Sequence, residues 1–141
     1  MTTTGLETIE REGLAYALII RSHATSDAKY NFLTDPTSPL QLGMNFYQSG
    51  DVIKAHHHLK KKVETNSVVQ EFLLIAAGRA LLRLYDAGDH GEFTSRQLET
   101  GDMVLLLAGG HGLEIQADTK IIELKLGPYD GKINDKVVFG T

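Results

Sequence analysis

Cysteine is absent from this chain. Disulfides, thiolate metal sites and cysteine nucleophiles are excluded with it. Long apolar runs are also missing, and the longest is far too short to cross a membrane. The opening Met1-Thr2-Thr3-Thr4-Gly5 lacks the cationic start and apolar stretch of a signal peptide. A cytoplasmic protein with no membrane partner is expected. Basic residues number 14 against 18 acidic ones, for a net charge of −4. There is no basic stripe, and the cationic run Lys60-Lys61-Lys62 is short, so no nucleic-acid partner is expected. No long stretch has convincing helical periodicity, and there is no repeat or low-complexity segment.

What remains is ordinary for one globular domain. The 141 residues are 42% hydrophobic and 23% charged, enough for a real core. Residues 1–12 are polar and are expected to be loosely held. Strands are predicted at 14–20, 40–47, 68–77, 79–85, 93–98, 103–107, 111–116 and 119–126. Residues 22–31 read as loop. A short strand is predicted to follow Ser49-Gly50-Asp51 and to carry His56 and His58, with a hairpin tip at 64–67. Asp35-Pro36-Thr37-Ser38-Pro39, Gly88-Asp89-His90-Gly91, Thr100-Gly101-Asp102 and Gly127-Pro128 are turn chemistry. Short strands with such frequent turns predict an all-β sandwich or barrel. The stretches 68–77 and 103–108 are apolar on both faces, whereas a solvated outer sheet alternates. A homodimer covering that outer face is expected; the alternative is cover by the N-terminal residues.

The chemistry concentrates in few residues. On an extended strand His56 and His58 share one face, roughly 7 Å apart, and His57 faces the other way. With the carboxylate of Glu71 and the imidazole of His111 they make a candidate set for one divalent transition metal. Fe, Mn, Ni, Zn and Cu all suit such mixed ligands. Gly109, Gly110 and Gly112 flank His111 and suit a bend that aims it inward. No helix follows them, so a phosphate-cradling loop is discounted. His23 and His90 fall in predicted loops. Tyr47, Tyr85, Tyr129 and Glu123 are further candidates for acid, base or hydrogen-bonding groups at a barrel mouth. Arg79 and Arg83 share a strand face that is either solvated or able to grip an anion.

The spacing resembles the cupin superfamily. Gly50, five residues, then His56-x-His58 matches one half of the first cupin motif, and Glu71, six residues, then Gly78 matches the other. The spacer between the halves is twelve residues, longer than usual, and a lengthened hairpin absorbs it. The second motif is degenerate: Gly101-Asp102 opens it and His111 closes it, with Leu107 at its proline position and Ile115 at its asparagine position. The resemblance implies a cupin double-stranded β-helix, a jelly-roll barrel, as a single domain. It implies an N-terminal arm at 1–39 with one strand packing on the barrel, the barrel at 40–127 and a C-terminal tail at 128–141. It also implies His56, His58, Glu71 and His111 as metal ligands on the inner wall.

The leading expectation is a metal-dependent enzyme acting on a small polar metabolite, sugar-related on the family hint, by Lewis-acid or O₂ chemistry. The alternatives are a metal-free sugar-nucleotide isomerase or epimerase, with His58 or His111 moving protons, and a non-catalytic small-molecule-binding barrel.

Overall fold

The computed structural model describes residues 2–62, 68–129, 131 and 135–139. Among them ten strands follow in chain order: β1 (Thr3–Arg11), β2 (Leu14–Ser26), β3 (Tyr30–Phe32), β4 (Gly43–Asn45), β5 (Glu71–Ala77), β6 (Arg79–Tyr85), β7 (Glu92–Glu99), β8 (Met103–Leu106), β9 (Gly110–Ile115) and β10 (Lys120–Lys125). Every pairing is antiparallel. A five-stranded sheet runs β1-β2-β8-β5-β10, a three-stranded sheet runs β7-β6-β9, and β3-β4 form a hairpin. The protein is all-β and antiparallel, but the sheets do not close into a barrel. No helix among the described residues is long and apolar enough to cross a membrane.

The core lies between the two larger sheets. Ala17, Ile19, Leu73, Ile75, Val104 and Leu106 come from one, and Leu82, Leu84 and Leu98 from the other. Their alternation along each strand follows from the period of two, which sends successive side chains to opposite faces. Each buried leucine or isoleucine contributes about 1.5–3 kcal/mol over its exposed state. Gly78 lets the chain pass from one sheet to the other. Its φ is +95°, and an added Cβ would stand 2.3 Å from the carbonyl oxygen of Asp118. The Thr100 hydroxyl closes this corner, accepting from Gly78 N and donating to Gly78 O, both at 3.0 Å.

The first third of the chain departs from expectation. Residues 1–12 are not loose, because Thr3–Arg11 forms an edge strand along β2. Ile9 is its one buried residue, so ladder hydrogen bonds do more than apolar burial to hold it. Residues 22–31 are not all loop either. The β2 strand continues to Ser26, its polar end joined to β1 by the Thr4 and Thr25 hydroxyls at 2.7 Å. The strand expected over 40–47 shrinks to Gly43–Asn45.

The predicted strand carrying His56 and His58 is absent. Residues 51–62 are irregular and exposed throughout. Among the described residues no strand pairs with them, and Val52 and Leu59 are 84% and 80% exposed. Without ladder bonds or burial, the extended conformation has nothing to favour it. The predicted tip at 64–67 lies outside the described residues.

The outer face of the large sheet is covered from within the chain over part of its width. Leu18, Ile20 and Leu105 point away from the core yet are buried. Ser38 Oγ and Leu40 N both donate to Gln70 Oε1, which ties the 38–40 stretch to the residue before β5. At β10 the cover ends, and Ile122 and Leu124 are 50% and 61% exposed.

Candidate functional site

Two of the four candidate ligands meet at one end of the core. Glu71 opens β5 on the face that carries Leu73 and Ile75 into the interior. His111 lies opposite Leu84 in the β6–β9 ladder, as Leu113 lies opposite Leu82, so it leaves its sheet on the interior side. The bend before it depends on Gly109, whose φ is +68°. A Cβ there would stand 2.3 Å from the Tyr16 ring and 2.6 Å from the Tyr85 carbonyl oxygen. Facing each other between the sheets, His111 Nε2 and Glu71 Oε2 are 3.1 Å apart, within hydrogen-bond reach. Their side chains are 34% and 17% exposed. This hydrogen bond holds the Glu71 carboxyl below its ordinary pKa, against burial, which pushes it up.

The pair lies on a cleft of about 630 Å³. Glu123 and Lys125 line it from β10, together with Leu73 and Leu113. Lys125 is the direct cross-strand partner of Glu71. Its ammonium is 3.0 Å from Asp135 Oδ2 and 3.6 Å from Glu123 Oε1. The Asp135 hydrogen bond raises the Lys125 pKa. Sequence reasoning named Glu123 but missed Lys125 and Asp135. Lys125 had a legible signal, since Glu123 and Lys125 alternate with the apolar Ile122 and Leu124. Asp135 had none.

His56 and His58 stand elsewhere. Their rings are 5.2 Å apart, and His56 Nδ1 is 2.8 Å from the Lys54 carbonyl oxygen. Neither lines the cleft. Among the described residues no three His, Asp or Glu side chains form a group able to hold a metal ion. The four expected ligands thus occur as two separate pairs, and the residues as placed do not fit a complete metal site. His57 is exposed beside them.

The remaining candidates separate by place. Tyr85 lies beside the cleft residue Gly112, and the Tyr129 ring is 5.4 Å from the Lys125 ammonium. Tyr47 belongs to another hollow, where Lys29 bonds Asp51 at 2.7 Å and lies over the Tyr30 and Tyr47 rings. Arg83 is gripped by Glu92 and Glu114 at 2.8 and 2.7 Å. Arg79 and His23 are exposed, His23 within β2. His90 sits in a turn with a φ of +61°. Comparison with known family models, curated proteins and solved structures finds no match to this chain.

Proposed function

We propose that this chain is an acid–base enzyme acting on a small polar metabolite, with His111 moving the proton and Glu71 holding its ring. The observation that carries the reading is the 3.1 Å approach of the two side chains on an open cleft. A carboxylate accepting from Nε2–H leaves Nδ1 as the free acceptor and stabilises the imidazolium once that nitrogen has taken a proton. The depressed pKa of Glu71 keeps it ionised for this role. The matching reaction removes a proton from carbon beside a carbonyl and returns it to that carbon or its neighbour. That is isomerase or epimerase chemistry, and the family resemblance adds sugar-related substrates.

The test is solvent deuterium exchange into a panel of small oxo and hydroxy compounds, followed by NMR. The native protein catalyses exchange into at least one compound, and His111→Asn slows it by about 100-fold or more. Exchange that survives in His111→Asn sinks the reading. Binding without exchange points to the non-catalytic alternative.

The second reading is a cupin holding one divalent transition metal on His56, His58, Glu71 and His111. The motif spacing and the two preformed pairs, His56 with His58 and Glu71 with His111, favour it. It requires the 51–62 stretch to carry its imidazoles to the cleft. Elemental analysis of tag-free protein tests it. Near one metal per chain, lost in His56→Ala with His58→Ala, supports the reading; full occupancy in that double variant refutes the ligand assignment. Both readings carry a homodimer, supported by the exposed Ile122 and Leu124 on β10, the last strand of the large sheet among the described residues.

A further inference from the structure

We propose that Asp135 occupies the substrate's place in the Glu71–His111 cleft, held there by the anchor Phe139, and that the substrate is a small monocarboxylate which must displace Asp135 from Lys125. This rests on the acid–base reading of that cleft. Lys125 projects inward, directly across from Glu71. Its partner Asp135 is a better-covered carboxylate than those of the surface pairs: 14% exposed, against 56% for Glu114 beside Arg83. The ion pair is part of the cleft, since both residues line it.

Phe139 anchors the same stretch. Its ring stacks on His90 at 4.5 Å and meets Tyr85 edge-on at 5.3 Å. The ring tip fills the place a side chain at position 110 would need, 2.3 Å from an added Cβ on Gly110. Gly110 immediately precedes His111 and faces the other side of the strand, so the ring anchors the 135–139 stretch behind His111 while the ion pair lies before it.

Charge selects the ligand class. Lys125 faces Asp135, Glu123 and Glu71. A carboxylate that replaces Asp135 leaves the charge of the cleft unchanged. A phosphate dianion would add negative charge beside Glu71 and Glu123, and an amine would face the Lys125 ammonium. Geometry agrees. Cross-strand partners have Cβ atoms about 5 Å apart. A carboxylate on Lys125 therefore enters the cleft from the strand face that also carries Glu71. An oxo acid of a few carbons fits both the Lys125 anchor and a proton transfer at His111. The tethered Asp135 competes at an effective concentration on the order of millimolar, so the free acid binds more weakly than the bare site allows.

The experiment titrates the full chain with acetate and, separately, with inorganic phosphate, following the His111 imidazole and Lys125 ammonium signals by NMR. Acetate affinity rises about tenfold or more in Asp135→Asn and also in Phe139→Ala, and Lys125→Gln abolishes binding in each background. Denaturation curves check that each variant is folded. Equal acetate affinity in the native protein and both unblocked variants overturns the inference, as does acetate binding that survives Lys125→Gln. Phosphate binding tighter than acetate overturns the carboxylate class. The two readings fail separately. Acetate competition without deuterium exchange in any compound refutes the acid–base function alone, whereas exchange without competition refutes the displacement alone.

Discussion

Single carboxylates are placed to opposite ends in this molecule. Asp102 is 3% exposed and works for the fold. It accepts from Arg21 Nη1 at 3.0 Å, from Ser22 N at 2.9 Å and from Glu99 N at 2.9 Å. Asp102→Ala strands the two backbone donors and leaves Arg21 Nη1 with the Gln97 carbonyl oxygen alone, and a loss of about 3 kcal/mol is expected in urea denaturation. A loss under about 0.5 kcal/mol would show that the turn holds itself. Glu71 has more to do with the site. Its pKa is lower folded than unfolded, so it stabilises the fold above its ordinary value near pH 4, and that contribution is lost as pH falls through the folded value. Glu71→Gln is therefore expected to flatten the acid limb of stability against pH. Identical acid limbs in the two proteins would rule the linkage out.

Among the elements, the β5–β6 corner has the least tolerance. Gly78→Ala forces a positive φ on a side chain whose Cβ meets Asp118 O and Thr119 within 2.7 Å. A loss of at least about 2 kcal/mol is expected, read as a lowered denaturation midpoint with unchanged slope. This half of the chain was the legible half. From β5 onward, short apolar or alternating runs bounded by glycine turns locate each strand within a few residues, because each strand has at least one face in the core. The edge strand β1 was missed because its single buried residue, Ile9, leaves almost no pattern. The stretch 51–58 misled in the other direction. It has strand-like residues, but a strand also needs a partner, and partners are set by tertiary topology rather than local sequence. Half of the candidate site shared that fate. Glu71 and His111 lie on strands the sequence locates, whereas His56 and His58 lie in a stretch where the predicted strand does not form.

At the scale of the whole molecule, no strand among the described residues pairs with the outer edge of β10. Phe72 and Leu74 lie beside the exposed Leu124 and Ile122 in its ladder, making one apolar patch on the outer face. An exposed apolar edge of this kind favours pairing with a second copy. Light scattering on the native chain is expected to give a dimer, and Ile122→Lys with Leu124→Lys a monomer. A native chain that is monomeric at high concentration removes the dimer from the account.

The exposed stretch 51–62 has a consequence for how the chain responds to being cut. It carries Lys54, Lys60, Lys61 and Lys62, all exposed and outside any strand. Trypsin should sever the backbone there first. The two fragments would carry β1–β4 and β5–β10, yet β2 lies hydrogen-bonded to β8 through Ala17, Leu18, Ile19 and Ile20. Those residues are fully or almost fully buried. The nicked protein should run as two bands on a denaturing gel and as one species on a native column, a two-piece protein whose halves need no covalent link.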